Sequence, residues 1–340
     1  MTTTTAATTS RRAQPAIRTN VLAPLIGLIL VLALAAVTTP GFYTLDVARL
    51  VLFQIGIIGI AALGQTFVLL LGGIDLSISA VGSLTSVILA LYTAGASERV
   101  GMGVLFAVLA GIAVGLANAA LVVLRNVPPF VATFASFVLV QGIIIVWTGG
   151  APSGRIPEAL FWLGRGRILG LPVVLVLFAV LAVAALLVLE RTTAGRRIYA
   201  TGLNPRAARM SGIRVGGVLV AGYVLASLSG VLVGLVNAGF IGYVDAALVR
   251  NLDLNSIAAA IIGGVALTGG KGRIGQVVVG VALLAVLLTW LIQLGAGGGT
   301  QLVVSGIVIL LAVWLQSHPM PFRRRASAVA TAEETQEKKS

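Results

Sequence analysis

The chain has 340 residues, of which 58% are apolar, 10% are charged and 42 are glycine. Soluble domains run about 45–50% apolar with glycine included and about 25% charged, so this chain has too few polar side chains to cover a surface in water. The lack of cysteine excludes disulfides, thiolate metal sites and a cysteine nucleophile, the single His318 argues against histidine-based chemistry, and the +13 charge is scattered between apolar runs rather than gathered on one nucleic-acid-binding face.

A spanning helix needs about 20 mostly apolar residues. Residues 1–20 form a Thr- and Ala-rich tail bearing Arg11, Arg12 and Arg18, expected to be disordered and cytoplasmic. Ten apolar runs follow, near Val21–Val37, Val47–Leu71, Leu76–Ala96, Gly101–Leu124, Pro129–Thr148, Pro172–Leu189, Val215–Phe240, Leu254–Gly270, Ile274–Leu294 and Thr300–Ser317. The run Leu254–Gly270 is short and glycine-rich, with a re-entrant segment as its alternative. Residues 318–340 read as a polar, solvated, cytoplasmic tail. The expected fold is an all-α polytopic membrane protein of about ten transmembrane helices, its permease-like domain spanning 21–317 with a cytoplasmic loop at 190–215.

Loop charge sets the orientation. With the N-terminus cytoplasmic, 17 basic residues fall inside and 6 outside, so the positive-inside rule places both termini in the cytoplasm. The first span also resembles a secretory signal, with small residues at Ala33–Ala36, but its removal would put the other basic loops outside.

Four segments carry more than hydropathy. In GQTFVLLLGGIDLSISAVGS, Gly72 and Gly73 break the helix before Asp75, Ser77 and Ser79. An acid at mid-bilayer must line a polar path or find partners, whereas at the inner boundary it caps the next helix; both readings stand here. In VPPFVATFASFVLVQGIIIVWTGG, Pro128 and Pro129 start a span, and Gln141 faces a polar path or bonds a neighbouring helix. In ERTTAGRRIYATGLNPRAARMSGIRV, Asn204 as N-cap, Pro205 at the first position and Gly212 past the end delimit a short helix through Arg206, Ala207, Ala208, Arg209, Met210 and Ser211. About seven residues span only about 10 Å. The segment is either a basic loop held on anionic lipid or, given its excess of structure, a docking element. In LNSIAAAIIGGVALTGGKGRIG, a phosphate loop would need Gly at Val265 and Ser or Thr at Gly272, so no nucleotide site exists there. Small residues, here and at the GxxxG spacings Gly111–Gly115 and Gly230–Gly234, predict close helix packing.

The stretches GGIDLS, VPPFVAT with a later TGG, GRRIYATGLNPRAARMSGI and IGG…GGKGRIG, in this order, resemble the permease subunits of bacterial ABC importers of the ribose, galactose, xylose and autoinducer-2 class, over roughly residues 45–317. The resemblance implies an inner-membrane subunit that pairs with a second, identical or homologous permease. An extracytoplasmic solute-binding protein would feed the path, and cytoplasmic ATPase subunits would dock on Asn204–Gly212. It departs from that family at Ile78, Ser79 and Ala80, where Val-Gly-Ser is usual, and at Thr289 and Trp290, where Asn-Gly is common. Both places lie in regions that could face the substrate.

Without an ATP-binding motif the chain is no ATPase, and no cofactor or metal is expected. The competing class is an ion-gradient-driven secondary transporter, which places ionisable residues at the midplane. Among the acids, Asp46, Glu98, Glu158, Asp245 and Asp253 fall in outer loops, and only Asp75 is a candidate for the interior. A channel filter or an enzyme's paired acids are not evident. The lack of basic residues inside the spans, apart from Arg49 near an edge, fits a sugar, a polyol or another small neutral solute.

Overall fold

The structure, a computed structural model, describes residues 22–244 and 251–317. The two expected tails, His318, Asp245 and Arg250 lie outside the described residues. In chain order the helices are α1 (Leu22–Thr38), α2 (Leu45–Leu70), α3 (Ile78–Thr93), α4 (Val100–Leu124), α5 (Pro129–Thr148), α6 (Phe161–Arg165), α7 (Val173–Arg191), α8 (Thr193–Leu203), α9 (Pro205–Met210), α10 (Val215–Ile241), α11 (Leu252–Ile262), α12 (Ile274–Gln293) and α13 (Gly298–Ser317). Between α6 and α7 lies a small hairpin of β1 (Arg167–Ile168) and β2 (Leu171–Pro172).

The molecule is an all-α polytopic membrane protein. Among the described residues, six helices are long and apolar enough to cross a membrane: α2, α4, α5, α7, α10 and α12. The apolar helices α1, α3 and α11 are shorter, as is the apolar stretch Gly298–Trp314 of α13. The expected run Leu254–Gly270 is corrected most. Only 11 residues, Leu252–Ile262, are helical, which is about 16 Å against a hydrocarbon core of about 30 Å. The glycines that follow stop it: Gly264, Gly269, Gly270 and Gly272 all have positive φ, which an α-helix cannot contain. Asp253, assigned by the loop count to an outer loop, stands half-buried in the first turn of α11. There it lies beside Ser79 and within electrostatic reach of Asp75.

The core sits where α2, α3, α10 and α12 meet. In α2 every residue from Gly56 to Leu70 is buried, so that half of the helix has no lipid-facing side. Both GxxxG spacings do pack helices closely. A Cβ on Gly111 would strike Val231, and one on Gly115 would stand 2.9 Å from the Val224 Cα, so α4 lies tight on α10. A Cβ on Gly230 would stand 2.6 Å from the Ile78 carbonyl oxygen, and one on Gly234 would strike Gly82, so α10 lies equally tight on α3.

Polar contacts pin the far end of the bundle. Arg165 donates from Nε to the Phe240 carbonyl at 2.6 Å and from Nη2 to the Ile241 carbonyl at 2.8 Å, satisfying the C-terminus of α10 with a cation. Trp290 Nε1 donates to Thr38 Oγ1 and Thr39 Oγ1, each at 3.1 Å, tying α12 to the end of α1. Trp290 is therefore tied to a helix end.

One stability prediction arises here. A Cβ on Gly280 of α12 would press on the Ala259 carbonyl and stand 2.6 Å from the Gly263 amide, both backbone atoms that cannot swing aside. Gly280→Val is expected to destabilise the detergent-solubilised protein by about 1–3 kcal/mol, seen as a lower thermal midpoint. Gly217→Ala, with nothing among the described residues within 4 Å of its Cβ position, should not lower that midpoint.

Candidate functional site

The break after α2 is built from local chemistry. Gly72 takes φ +80, and the amides of Gly72 and Gly73 bond back to the Leu69 and Val68 carbonyls at 2.9 and 3.0 Å, closing the helix end. Gly73 lacks room for a side chain, because a Cβ would stand 2.7 Å from the Tyr223 hydroxyl. Residues 74–77 then run without helical bonds until α3 begins at Ile78.

Irregular backbone inside a membrane protein persists only where other groups satisfy it, and here side chains from α2 and α5 do so. Gln65, with its amide oriented to suit the network, donates to the Asp75 carbonyl at 2.9 Å and accepts from the Asp75 amide at 3.2 Å. Thr133 Oγ1 of α5 donates to the Ile74 carbonyl at 3.0 Å. The Asp75 carboxylate is 0% exposed. Its Oδ1 accepts from the Ser77 amide at 2.7 Å and from the Ser77 hydroxyl at 2.6 Å. Asn118 Nδ2 of α4 donates to Ser77 Oγ at 2.9 Å. Asp75 Oδ2 has no hydrogen-bond partner among the described residues. Asp75 thus anchors the turn before α3 in the manner of an Asx turn, at the bottom of a buried polar cluster.

Of the residues singled out in sequence, Gly72, Gly73, Asp75 and Ser77 come together, and Gln141 does not join them. It lies eight residues along α5 from Thr133, about 12 Å away, half-buried and without a hydrogen bond among the described residues. Gln65, Asn118, Thr133 and Tyr223 were missed. Their signal was a polar group inside an apolar run, which does not say which helix it serves.

The loop between α7 and α10 carries two helices, not one. α8 was not anticipated; Thr192 caps it by accepting from the Gly195 amide at 3.3 Å. α9 has six residues and the expected signals: Asn204 Oδ1 accepts from the Arg206 and Ala207 amides at 3.0 and 3.1 Å, and Pro205 opens the helix. Gly212, at φ +80, follows the end, where the Ile213 amide bonds the Ala208 carbonyl at 3.0 Å. Ala208 is buried, whereas Arg206, Ala207, Arg209, Met210 and Ser211 are exposed, Met210 to 90%. At α8, burial and then the charge of Glu190 push the Tyr199 phenol above its usual pKa, so it remains a neutral donor.

No group of three or more His, Asp or Glu side chains able to hold a metal ion occurs among the described residues. The class these features define is a multi-pass helical membrane protein with an internal polar break and a helix pair displayed on a loop. The chain belongs to the family described as branched-chain amino acid transport system, permease component, whose model matches residues 47–313. It is 36% identical over 297 residues to the ribose import permease protein RbsC of Bacillus subtilis (strain 168), covering 86% of this chain and 92% of that protein. To RbsC of Escherichia coli (strain K12) it is 34% identical over 293 residues, 85% of this chain and 91% of that one. To the autoinducer 2 import system permease protein LsrC of Yersinia enterocolitica it is 29% identical over 290 residues, covering 84% and 79%. No solved structure matches. The chain is thus a membrane permease subunit and not itself an enzyme, as the GGIDLS and GRRIYATG resemblance implied.

Proposed function

We propose that the chain is the permease subunit of a binding-protein-dependent ABC importer in the bacterial inner membrane and forms the path for a sugar or a similar small neutral solute. The observation that carries this reading is the likeness to ribose import permeases over more than nine-tenths of their length, at 91% and 92%. In the working complex two permeases, identical or homologous, receive solute from an extracytoplasmic binding protein. Cytoplasmic ATPase subunits dock on Asn204–Gly212 and hydrolyse the ATP. Gly72, Gly73, Asp75 and Ser77 shape the gate, and Gln141 lies farther along the path. All ten apolar helices belong to one membrane domain over 21–317, with both termini and the tails 1–20 and 318–340 in the cytoplasm.

Contacts between loops support this topology. Segments given to the cytoplasmic side touch one another, as in the bond from the Tyr199 hydroxyl to the Gly272 carbonyl at 2.8 Å. Segments given to the outer side do the same, as where the Ile156 amide bonds the Gly242 carbonyl at 3.1 Å. Ser153 and Ser211 are both exposed, and the chain has no cysteine. An impermeant thiol reagent is expected to label Ser153→Cys on intact cells and Ser211→Cys only after the cells are opened; the reverse pattern would sink the orientation. For transport, the complex reconstituted with its ATPase and binding protein should accumulate radiolabelled ribose or another sugar from a panel when given ATP. Accumulation by the permease alone on a proton or sodium gradient would replace this reading with the secondary transporter.

A further inference from the structure

Three glycine-bearing turns meet at one end of the bundle, the cytoplasmic end in the proposed topology. α8 ends at Gly202–Leu203, α2 ends at Leu70–Gly72, and residues 263–273 turn back after α11. Gly202 is buried with no space for a side chain: a Cβ there would sit on the Leu70 carbonyl and 2.6 Å from the Gly270 amide. A Cβ on Gly269 would stand 2.9 Å from both the Gly202 carbonyl and the Gly72 amide. The Gly270 amide donates to the Leu70 carbonyl at 2.8 Å. Tyr199, one turn before Gly202 on α8, donates its hydroxyl to the Gly272 carbonyl at 2.8 Å.

The three segments therefore touch backbone to backbone. Other close glycines, such as Gly111 against Val231 and Gly230 against Ile78, lie along the flanks of helices and bind the bundle together. These glycines lie instead between two elements of the mechanism. Gly202 is two residues before Asn204, the N-cap of α9, and Gly72 is three residues before Asp75. A flexible side chain between the segments would absorb a displacement by changing rotamer. Close-packed backbone has no such freedom and passes strain on.

We propose that Gly202, Gly269 and Gly270, locked by the Tyr199–Gly272 bond, form a transmission joint that carries movement of the α8–α9 pair to the Gly72–Ser77 break. These are positioning residues: they hold neither solute nor ATPase. The joint rests on the reading of α9 as the ATPase dock and of the break as the gate.

The test uses the permease–ATPase complex and a single reporter cysteine, Ile74→Cys, at a half-buried position inside the break. Its labelling rate by N-ethylmaleimide is measured without nucleotide and with ATP and vanadate. In the reporter background alone, ATP should change the rate. Tyr199→Phe removes one hydroxyl and adds no atom, and it should shrink the ATP-dependent change by about two- to tenfold, the range for one lost hydrogen bond. Labelling without nucleotide and ATPase co-purification should stay at their parental values, which a general loss of structure would not leave untouched. Gly202→Ala, which inserts a methyl group into the joint, should abolish the ATP-dependent change. An ATP response of parental size in Tyr199→Phe overturns the joint, and so does loss of ATPase co-purification in that variant, which would make α8 part of the dock. No ATP response in the reporter background itself, with the ATPase still bound, removes the gate reading and the joint with it.

Discussion

Asp75→Asn is expected to lower ATP-driven uptake by roughly tenfold or more, with membrane insertion and ATPase co-purification unchanged. One carboxylate oxygen accepts both the amide and the hydroxyl of Ser77, at 2.7 and 2.6 Å. Bonds to a charged acceptor are worth about 1.5–3 kcal/mol, and an amide oxygen is a weaker acceptor in the same place. The substitution also replaces Oδ2, which has no partner among the described residues, with an NH2 group that brings two donors into a buried site. The Gln65 bonds go to the Asp75 backbone and the Thr133 bond to the Ile74 carbonyl, so they survive the change. The break should keep its course while the Ser77–Asn118 link above it loosens. Uptake of radiolabelled sugar at parental rates would leave Asp75 as a turn anchor whose charge is dispensable. Failure to insert would make the residue structural.

The second large effect is expected at Gly212. Its φ of +80 belongs to the left-handed region, and nothing among the described residues lies within 4 Å of a Cβ built on it. Any penalty for a side chain there is conformational, about 1–2 kcal/mol for an ordinary residue and more for a branched one. Gly212→Val should therefore push the chain out of the turn. That would break the bonds from the Gly212 amide to the Arg209 carbonyl and from the Ile213 amide to the Ala208 carbonyl, each 3.0 Å, that close α9. The exposed face around Met210 would be displaced, and ATPase co-purification and uptake should fall together while insertion is retained. Gly212→Asn should be milder, because asparagine enters the left-handed region more readily. Arg206→Glu or Arg209→Glu, both exposed, should also be milder, since each alters charge and leaves the backbone alone. Intact ATPase binding and uptake in Gly212→Val would reduce α9 to a lipid-facing connector.

These two predictions differ in how much of their basis is readable along the chain. The signals of α9 are local: an N-cap accepts amides two and three residues away, and a C-terminal glycine acts through its own φ. Asn204, Pro205 and Gly212 therefore announced the helix without tertiary information. The Gly72–Gly73 break was equally local. What satisfies residues 74–77 was not, because Gln65, Asn118 and Thr133, which bond Asp75, Ser77 and Ile74, arrive on α2, α4 and α5. A polar residue in an apolar run shows that some partner exists, and only packing selects which.

The same division holds for the whole protein. Hydropathy over some 20 residues is a property of the chain itself, because each spanning helix must satisfy its own backbone and present apolar side chains to lipid. The all-α membrane class and the apolar segments were legible for that reason, the GxxxG packing stripes from the spacing of their glycines, and the permease family from the GGIDLS and GRRIYATG stretches. Tertiary structure decided that the run Leu254–Gly270 is half helix and half turn, since its glycines take positive φ where the 263–273 segment folds back onto α2 and α8. It also decided that Trp290 ties α12 to α1, and that Asp253 stands near Asp75. Above all it brought Gly202, Gly72 and Gly269 together from three distant parts of the chain. A glycine in sequence permits close approach without naming what approaches, and that choice belongs to the packing of the folded bundle.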